Sequence, residues 1–261
     1  MIPTGFAGLE AQLWLWLFAM VRPGAAFLVA PVFGAAMVPV QVRLVISLAV
    51  GIPALAGHPI VMPEGGVASI AGILLITGEV LAGLAIGFAV QIGFSAALIA
   101  GELISNAMGL GFANMADPTT GHQNPVIGQL LSILGTFLFL AVNGHLALAA
   151  TIVESYRALP PGEAWLSNEA IRGLVYFGSV LFASGLSIAL PVGFAIILVQ
   201  LVMAMLARTA PQLNLFAVGM PAALLAGLVL LAMAAPVMGE GLIATIRIGL
   251  EQSHRLAMGG V

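Results

Sequence analysis

The sequence contains no cysteine and no lysine among its 261 residues. Without cysteine, a disulfide framework, a thiolate nucleophile and a cysteine-based metal site are excluded. Without lysine, the positive charge is limited to seven arginines, which are spread thinly along the chain and form no polybasic patch. We therefore expect no nucleic-acid partner.

Charge of either sign is scarce. Charged residues make up 7% of the chain and hydrophobic residues 61%, and the mean hydropathy is +1.17. A soluble domain carries roughly 25% charged residues, so this surface is too apolar for water. The N-terminal twenty residues include Glu10 and lack a basic region and an A-x-A site, so we expect them to be retained rather than cleaved as a signal. The composition predicts an all-α, polytopic integral membrane protein.

The apolar stretches differ widely in length. They lie at about 11–33, 43–57, 67–100, 126–153, 173–207 and 213–238. Because about 20 apolar residues cross a bilayer, the second stretch is short, whereas the third and fifth are too long for simple upright spans. Either those helices project beyond the bilayer or they are broken. Pro191 and the Gly78-Glu79 step are the candidate breaks.

Small residues recur inside the third stretch. Gly83 and Gly87, in "GLAIG", form a small-xxx-small step that allows close approach of helix backbones. The step favours packing within the chain, and an oligomer face is the alternative.

Two acids lie in or at the end of the same stretch. Each would cost roughly 2.5–3.5 kcal/mol at a bilayer centre, so an intramembrane acid indicates either a proton relay or a partner for a buried arginine or backbone donor. The alternative is an acid on a part of the helix that projects into water. We favour this alternative for Glu102 and leave both interpretations open for Glu79.

"AVNGHLAL" places two further polar side chains, Asn143 and His145, inside the fourth stretch. His145 has no His, Asp or Glu three or four residues away, as a helical metal site would need, and no G-x-S-x-G motif supports a hydrolase. We expect both side chains to form hydrogen bonds between helices. We expect no enzymatic activity, no metal and no cofactor.

The most polar segment of the chain lies between two of its most apolar runs. It extends for about 17 residues, from Met108 to Asn124, and combines glycines and a polar end with the apolar Leu110, Phe112 and Met115. Loops of this length are usually functional or disordered. Irregular backbone at membrane depth is tolerated where it is buried in protein or lines a water-filled cavity. The segment is therefore either an ordinary surface loop or one that folds back and fills a cavity.

Several blocks of the sequence, taken together and in order, resemble the FliR family. These blocks are "APVFGAAMVPVQVRLVISLAVG" (30–51), "GELISNAMGLGFANMADP" (101–118), "LFLAVNGH" (138–145), "YRALP" (156–160) and "LARTAPQLNLFAVGMP" (206–221). The family comprises the flagellar members of the export-gate proteins of type III secretion and is related to the T subunits of injectisome export apparatuses. The chain is identified as a member by the combination, since no single block is diagnostic.

The resemblance implies a non-enzymatic core subunit of the flagellar protein export gate. Its partners would be FliP-type and FliQ-type subunits, an FlhB-type switch protein, unfolded flagellar export substrates and the lipid of the bacterial inner membrane, at the flagellar basal body. The fold implied is a set of long and broken helices with a C-terminal helical hairpin, built to join a hetero-oligomeric helical gate. The implied division is an N-terminal helical region, 1–172, and a hairpin with its tail, 173–261.

The resemblance also assigns roles to particular segments. The loop at about 108–124 would be the plug that closes the pore until a substrate passes. Its residues would be Met108, Gly109, Leu110, Gly111, Phe112, Met115, Asp117 and Pro118. The tip of the hairpin would carry Arg208, Pro211, Gln212 and Asn214. Glu79, Asn143 and His145 would be structural polar residues within the helices.

Two functions from other classes are also compatible with a polytopic chain. A secondary transporter of a small solute would use a midplane acid such as Glu79 and interrupted helices in matching halves, but the halves show no internal repeat. An intramembrane hydrolase ranks third, because it would depend on His145 alone.

Overall fold

The computed structural model describes residues 7–55, 69–111, 126–162, 166–209 and 219–259, and these ranges contain helices and connections but no strand. The helices are α1 (Ala7–Val29), α2 (Val40–Leu55), α3 (Ile70–Ala107), α4 (Val126–Ala141), α5 (Gly144–Ala158), α6 (Asn168–Thr209) and α7 (Met220–Ala257).

The predicted fold class, an all-α polytopic membrane protein, is confirmed. Within the described ranges, α1, α3, α6 and α7 are each long and apolar enough to cross a bilayer, and α4 with α5 could form a fifth, broken span. The apolar stretch at 43–57 corresponds to α2, which has 16 residues and falls short of the about 20 that a crossing needs.

The two longest apolar stretches form uninterrupted helices. α3 has 38 residues and continues through Gly78 and Glu79, and α6 has 42 residues and contains Pro191. Of the two alternatives, long helices and broken ones, the helix assignment at both candidate breaks agrees with the first. A proline inside a transmembrane helix leaves one carbonyl without its usual donor, which neighbouring groups can compensate, and a single glycine costs only about 1 kcal/mol relative to alanine. The apolar surroundings favour a continuous backbone.

The chain divides into two compact units, each drawn from separate segments. The first comprises residues 1–93, 143–178 and 247–261, and the second comprises 94–142 and 179–246. The division at residue 172 that the family resemblance implies stays a prediction.

In the first unit, glycines bring helices into close contact. Gly83 and Gly87 of α3 lie against the backbone carbonyls of Arg22 and Ala26 in α1, so that a side chain at either glycine would collide with α1. On α2, Gly51 lies against the carbonyl of Ala19, whose usual helical donor is missing because Pro23 has no N–H. The small-residue step therefore packs within the chain.

In the second unit, a single apolar core joins α3, α4, α6 and α7. Its buried members include Ile104 of α3, Leu131 of α4, Ile196 of α6 and Leu242 of α7. α6 and α7 lie side by side, since a Cβ added to Gly241 of α7 would meet Ile188 of α6 at 3.0 Å.

Candidate functional site

A buried ion pair is the most polar feature of the first unit. Arg22 on α1 and Glu79 on α3 are both fully buried, and their side chains meet in a parallel, two-bond arrangement. Nε of Arg22 donates to one carboxylate oxygen at 2.8 Å, and Nη2 donates to the other at 2.9 Å. Two-bond arginine–carboxylate pairs are among the strongest polar contacts in proteins, because both partners are charged and their geometries match.

Two further guanidinium N–H groups reach α5 and its C-terminal end. Nη1 donates to Oγ of Ser155 at 2.9 Å, and Nη2 donates to the carbonyl of Leu159 at 2.8 Å. The Ser155 hydroxyl in turn donates to the carbonyl of Ile152 at 2.6 Å. The guanidinium carbon also lies 4.0 Å from the centre of the Tyr156 ring, within cation–π range.

We call the five residues Arg22, Glu79, Ser155, Tyr156 and Leu159 the arginine centre. It ties α1, α3 and α5 together, and its charges cancel within the centre. Both carboxylate oxygens of Glu79 accept hydrogen bonds from Arg22. Among the interpretations left open for Glu79, the geometry matches the intramembrane acid that is the partner of a buried arginine.

Arg22 was not among the residues that the sequence analysis singled out. The signal was present, because Arg22 is the only basic residue in the apolar stretch 11–33. An arginine in such a stretch needs a partner, but Glu79 lies 57 positions away, and the sequence alone does not pair them.

The other polar residues predicted inside helices have different surroundings. Glu102 is exposed, although it lies inside α3 rather than at its end. Asn143 lies between α4 and α5 in the left-handed conformation, with φ 57°, and its carbonyl accepts the first backbone bonds of α5 from Leu146 and Ala147. Nδ1 of His145 is buried and has no hydrogen-bond partner within the described ranges. The predicted interhelical bonds of Asn143 and His145 stay a prediction.

The first residues of the predicted plug segment are anchored in the second unit. Met108 is 3% exposed and belongs to the core, and Leu110 packs against that core. Gly109 adopts φ 80°, a conformation that glycine accepts without strain. Phe112, Met115, Asp117 and Pro118 lie outside the described residues.

The hairpin tip is described only in part. Arg208 is the basic residue in the last turn of α6, where a positive charge complements the helix dipole. Pro211, Gln212 and Asn214 lie outside the described residues.

No group of three or more metal-binding side chains comes together in the part of the chain that the structure describes. Gln200 of α6 was overlooked in the sequence, although it is the one polar side chain in the apolar run 195–206. Its amide nitrogen donates to the carbonyl of Ala107, at the C-terminal end of α3, at 2.6 Å.

Known proteins resemble this chain over most of its length. Residues 13–247 match the family described as bacterial export proteins, family 1. The chain is 33% identical over 222 residues to the flagellar biosynthetic protein FliR of Escherichia coli (strain K12), covering 85% of this chain and 84% of that protein. It is 35% identical over 221 residues to FliR of Pectobacterium carotovorum subsp. carotovorum, covering 85% and 83%. It is 32% identical over 210 residues to FliR of Bacillus subtilis (strain 168), covering 79% and 80%.

Proposed function

Because the chain belongs to the FliR family of flagellar export proteins, within the bacterial export proteins of family 1, we propose that it is a core subunit of the flagellar type III export gate. In this proposal it forms, with FliP-type and FliQ-type subunits, the channel through which unfolded flagellar proteins are secreted. It acts as a structural subunit of the channel and not as an enzyme.

The observation that carries this proposal is the length of the exposed apolar surface on α6. Large apolar side chains are exposed along this helix from Ile171 to Leu206. At ~1.5 Å per residue, a straight helix between these positions extends about 52 Å. The hydrocarbon core of a bilayer is about 30 Å thick, and even a helix tilted by 40° would project about 40 Å along the normal. The lipid therefore covers only part of this apolar surface. In the proposed gate, helices of the partner subunits cover the rest.

The C-terminal helices also bury little surface within their own chain. In the most apolar part of each helix, 22% of α6 and 17% of α7 is buried, compared with 50% of α3. Extended exposed apolar surfaces mark sites of contact with other proteins or with membrane. This difference supports an assembly in which α6 and α7 contact the FliP-type and FliQ-type partners. In the same proposal, an FlhB-type protein binds the assembled gate.

We propose further that residues 108–124 are the pore plug. The segment starts from an anchored root, Met108 to Gly111, and continues into a sequence rich in glycine and polar residues. Leu110, Phe112 and Met115 are the side chains able to exclude water, because an apolar constriction can block conduction by dewetting.

The test is to replace Leu110, Phe112 and Met115 together with serine, or to delete residues 110–120. Either change should let ions or small solutes leak across the membrane of cells that carry the variant, while the complex still assembles. Asp117→Asn is the control, because it keeps all three apolar side chains. An intact complex without added leak would show that the segment is not the plug, and loss of assembly would show that it is structural.

The competing transporter hypothesis would use a midplane acid such as Glu79 and interrupted helices in matching halves. Each carboxylate oxygen of Glu79 accepts a hydrogen bond from Arg22. Purification in mild detergent separates the two functions, because a gate subunit should co-purify with two small helical proteins, whereas a transporter should appear alone or as a homodimer and bind a solute.

A further inference from the structure

Helix α3 ends in a Schellman motif. The N–H of Gly109 bonds to the carbonyl of Asn106, and the N–H of Leu110 bonds to the carbonyl of Ser105, each at 3.0 Å. The left-handed residue of the motif is Gly109, and Leu110 packs on the core that contains Ile104, as the motif requires. These bonds satisfy the carbonyls of Ser105 and Asn106, but the carbonyl of Ala107 receives no backbone donor in the motif.

The donor for that carbonyl comes from α6. Nε2 of Gln200 lies 2.6 Å from the oxygen of Ala107, although the two residues are 93 positions apart in the sequence. Gln200 is exposed on the surface of this chain, within the apolar run of α6. An amide or carbonyl that faces lipid or an apolar partner without a hydrogen bond costs several kcal/mol, and this bond satisfies both groups. The single amide in the apolar run of α6 is thus used at the point where the backbone leaves α3.

A second contact holds the same point from α7. A Cβ added to Gly227 would lie 2.7 Å from both Cγ and Cε of Met108. Met108 therefore occupies the space that the missing side chain of Gly227 leaves, and it is almost completely buried.

The contact from Gln200 of α6 and the contact from Gly227 of α7 lie at the same height along these two adjacent helices. Ile188 of α6 lies against Gly241 of α7. Gln200 lies 12 residues further along α6, and Gly227 lies 14 residues earlier on α7, so both are displaced by nearly the same length toward the connection between the helices. Both helices of the pair thus hold the C-terminal end of α3.

We propose that Gln200 is a positioning residue for gate closure. Its hydrogen bond fixes the direction in which the chain leaves α3, and with Met108 seated against Gly227 it holds the root of the plug on the C-terminal helix pair. This inference rests on the proposed plug function of residues 108–124.

The first test replaces Gln200 with methionine, which has a similar length and no N–H donor. Gln200→Met should raise ion leak about 3- to 20-fold, the range expected for loss of one interhelical hydrogen bond that stabilises the closed state. Gln200→His retains an Nε2–H donor at similar reach and should remain closed. Leu201→Met is the matched control on the neighbouring exposed position. Assembly of the complex should be unchanged in all three variants.

A second pair of variants keeps the inference testable if Gln200→Met does not assemble. Gly227→Ala should displace Met108 and cause a leak of similar size. Gly239→Ala on the same helix is its control, because a Cβ there meets no atom within 4 Å. Equal leak from Gly227→Ala and Gly239→Ala would overturn the inference.

Deletion of residues 110–120, measured in parallel, separates this inference from the function on which it rests. If the deletion leaks and Gln200→Met does not, the plug stands and the role of Gln200 is refuted. If neither leaks, the plug function itself fails, and closure by Gln200 fails with it.

An independent readout uses the absence of cysteine from the chain. A single Leu110→Cys reports how open the root is to a water-soluble thiol reagent. Labelling should become about 3- to 20-fold faster when Gln200→Met is added. An unchanged labelling rate would contradict the anchoring itself, whatever the leak.

Discussion

Arg22 and Glu79 are joined by two hydrogen bonds, of 2.8 and 2.9 Å, between side chains that are both fully buried. The pair neutralises a charge on α1 with a charge on α3, and the hydroxyl of Ser155 and the carbonyl of Leu159 accept the remaining bonds of the guanidinium. Such a pair contributes less to net stability than its geometry suggests, since both charges must be desolvated. Removal of only one partner has a larger effect on stability, because the other charge stays buried without a counter-charge.

Glu79→Gln should destabilise the protein strongly, because it leaves the charge of Arg22 buried without a counter-charge. Breaking a buried ion pair from one side typically costs about 3–5 kcal/mol. The measurement is the thermal stability of the purified complex in detergent, together with its yield. Glu102→Gln, at an exposed acid on the same helix, is the control and should have little effect. Equal stability of the two variants would contradict a structural role for the pair.

The double variant Arg22→Met/Glu79→Leu should recover much of the stability lost in Glu79→Gln. Replacement of both charges by apolar groups of similar volume is often neutral or stabilising, although here Ser155 and Leu159 would lose a donor. Protein secretion should recover together with assembly. A double variant that assembles normally but does not secrete would show that the charges act in transport itself.

Gly83→Ala should weaken the packing of α1 on α3, because the added methyl group would collide with the carbonyl of Arg22 and lie 2.9 Å from Cβ of Ala25. Gly178→Ala on α6 is the matched control, since a Cβ at that position meets no atom within 4 Å. Recovery of folded protein should fall for the first variant and stay unchanged for the second. Normal recovery of Gly83→Ala would mean that the two helices separate at little cost.

Asn143→Gly should be tolerated, whereas Asn143→Val should destabilise the protein. The left-handed conformation of residue 143 is free of strain for glycine but costs roughly 1–2 kcal/mol for most other residues, and more for a β-branched one. Thermal stability of the two variants is the measurement. Similar values for glycine and valine would show that the backbone conformation at this position is not the reason for asparagine.

Phe194→Ser should reduce co-purification of partner subunits without reducing the amount of this chain in the membrane. The side chain is 61% exposed on α6, so its loss removes surface for a partner rather than core. Met37→Ser, at a side chain that is 93% exposed outside the helices, is the control. Unchanged co-purification in the Phe194 variant would indicate that this part of α6 faces lipid.

The fold class could be predicted from the sequence because it depends on a property of the whole chain, its lack of charge. The continuity of α3 and α6 could not be predicted so easily. Glycine and proline are helix breakers in water, where freed backbone groups find solvent, but an apolar environment penalises a break more than it penalises the residue. Gly78 and Pro191 are therefore weaker signals in this chain than they would be in a soluble one.

The arginine centre shows a different limit. Arg22 and Glu79 each carry a recognisable signal, a charge within an apolar stretch, but the hydrogen-bond partners of Arg22 lie 57 to 137 positions away. Such pairings depend on which helices pack together, and hydrophobic periodicity does not specify that. The C-terminal end of α3 was easier to predict from the sequence, because Gly109 indicates a helix terminus. The hydrogen bond that Gln200 donates to this end could not be predicted, because it depends on the packing of α6.

The arginine centre also has a consequence for how the protein is made. Arg22 leaves the ribosome 57 residues before Glu79. At a synthesis rate of about 5–20 residues per second, this interval is about 3–11 s. During that time α1 presents an unneutralised guanidinium, which costs roughly 2.5–3.5 kcal/mol at the centre of an inserted helix. Helix α1 should therefore settle in the membrane only after α3 has been synthesised, and truncated nascent chains that end before Glu79 should be released from the insertion machinery less readily than chains that contain it.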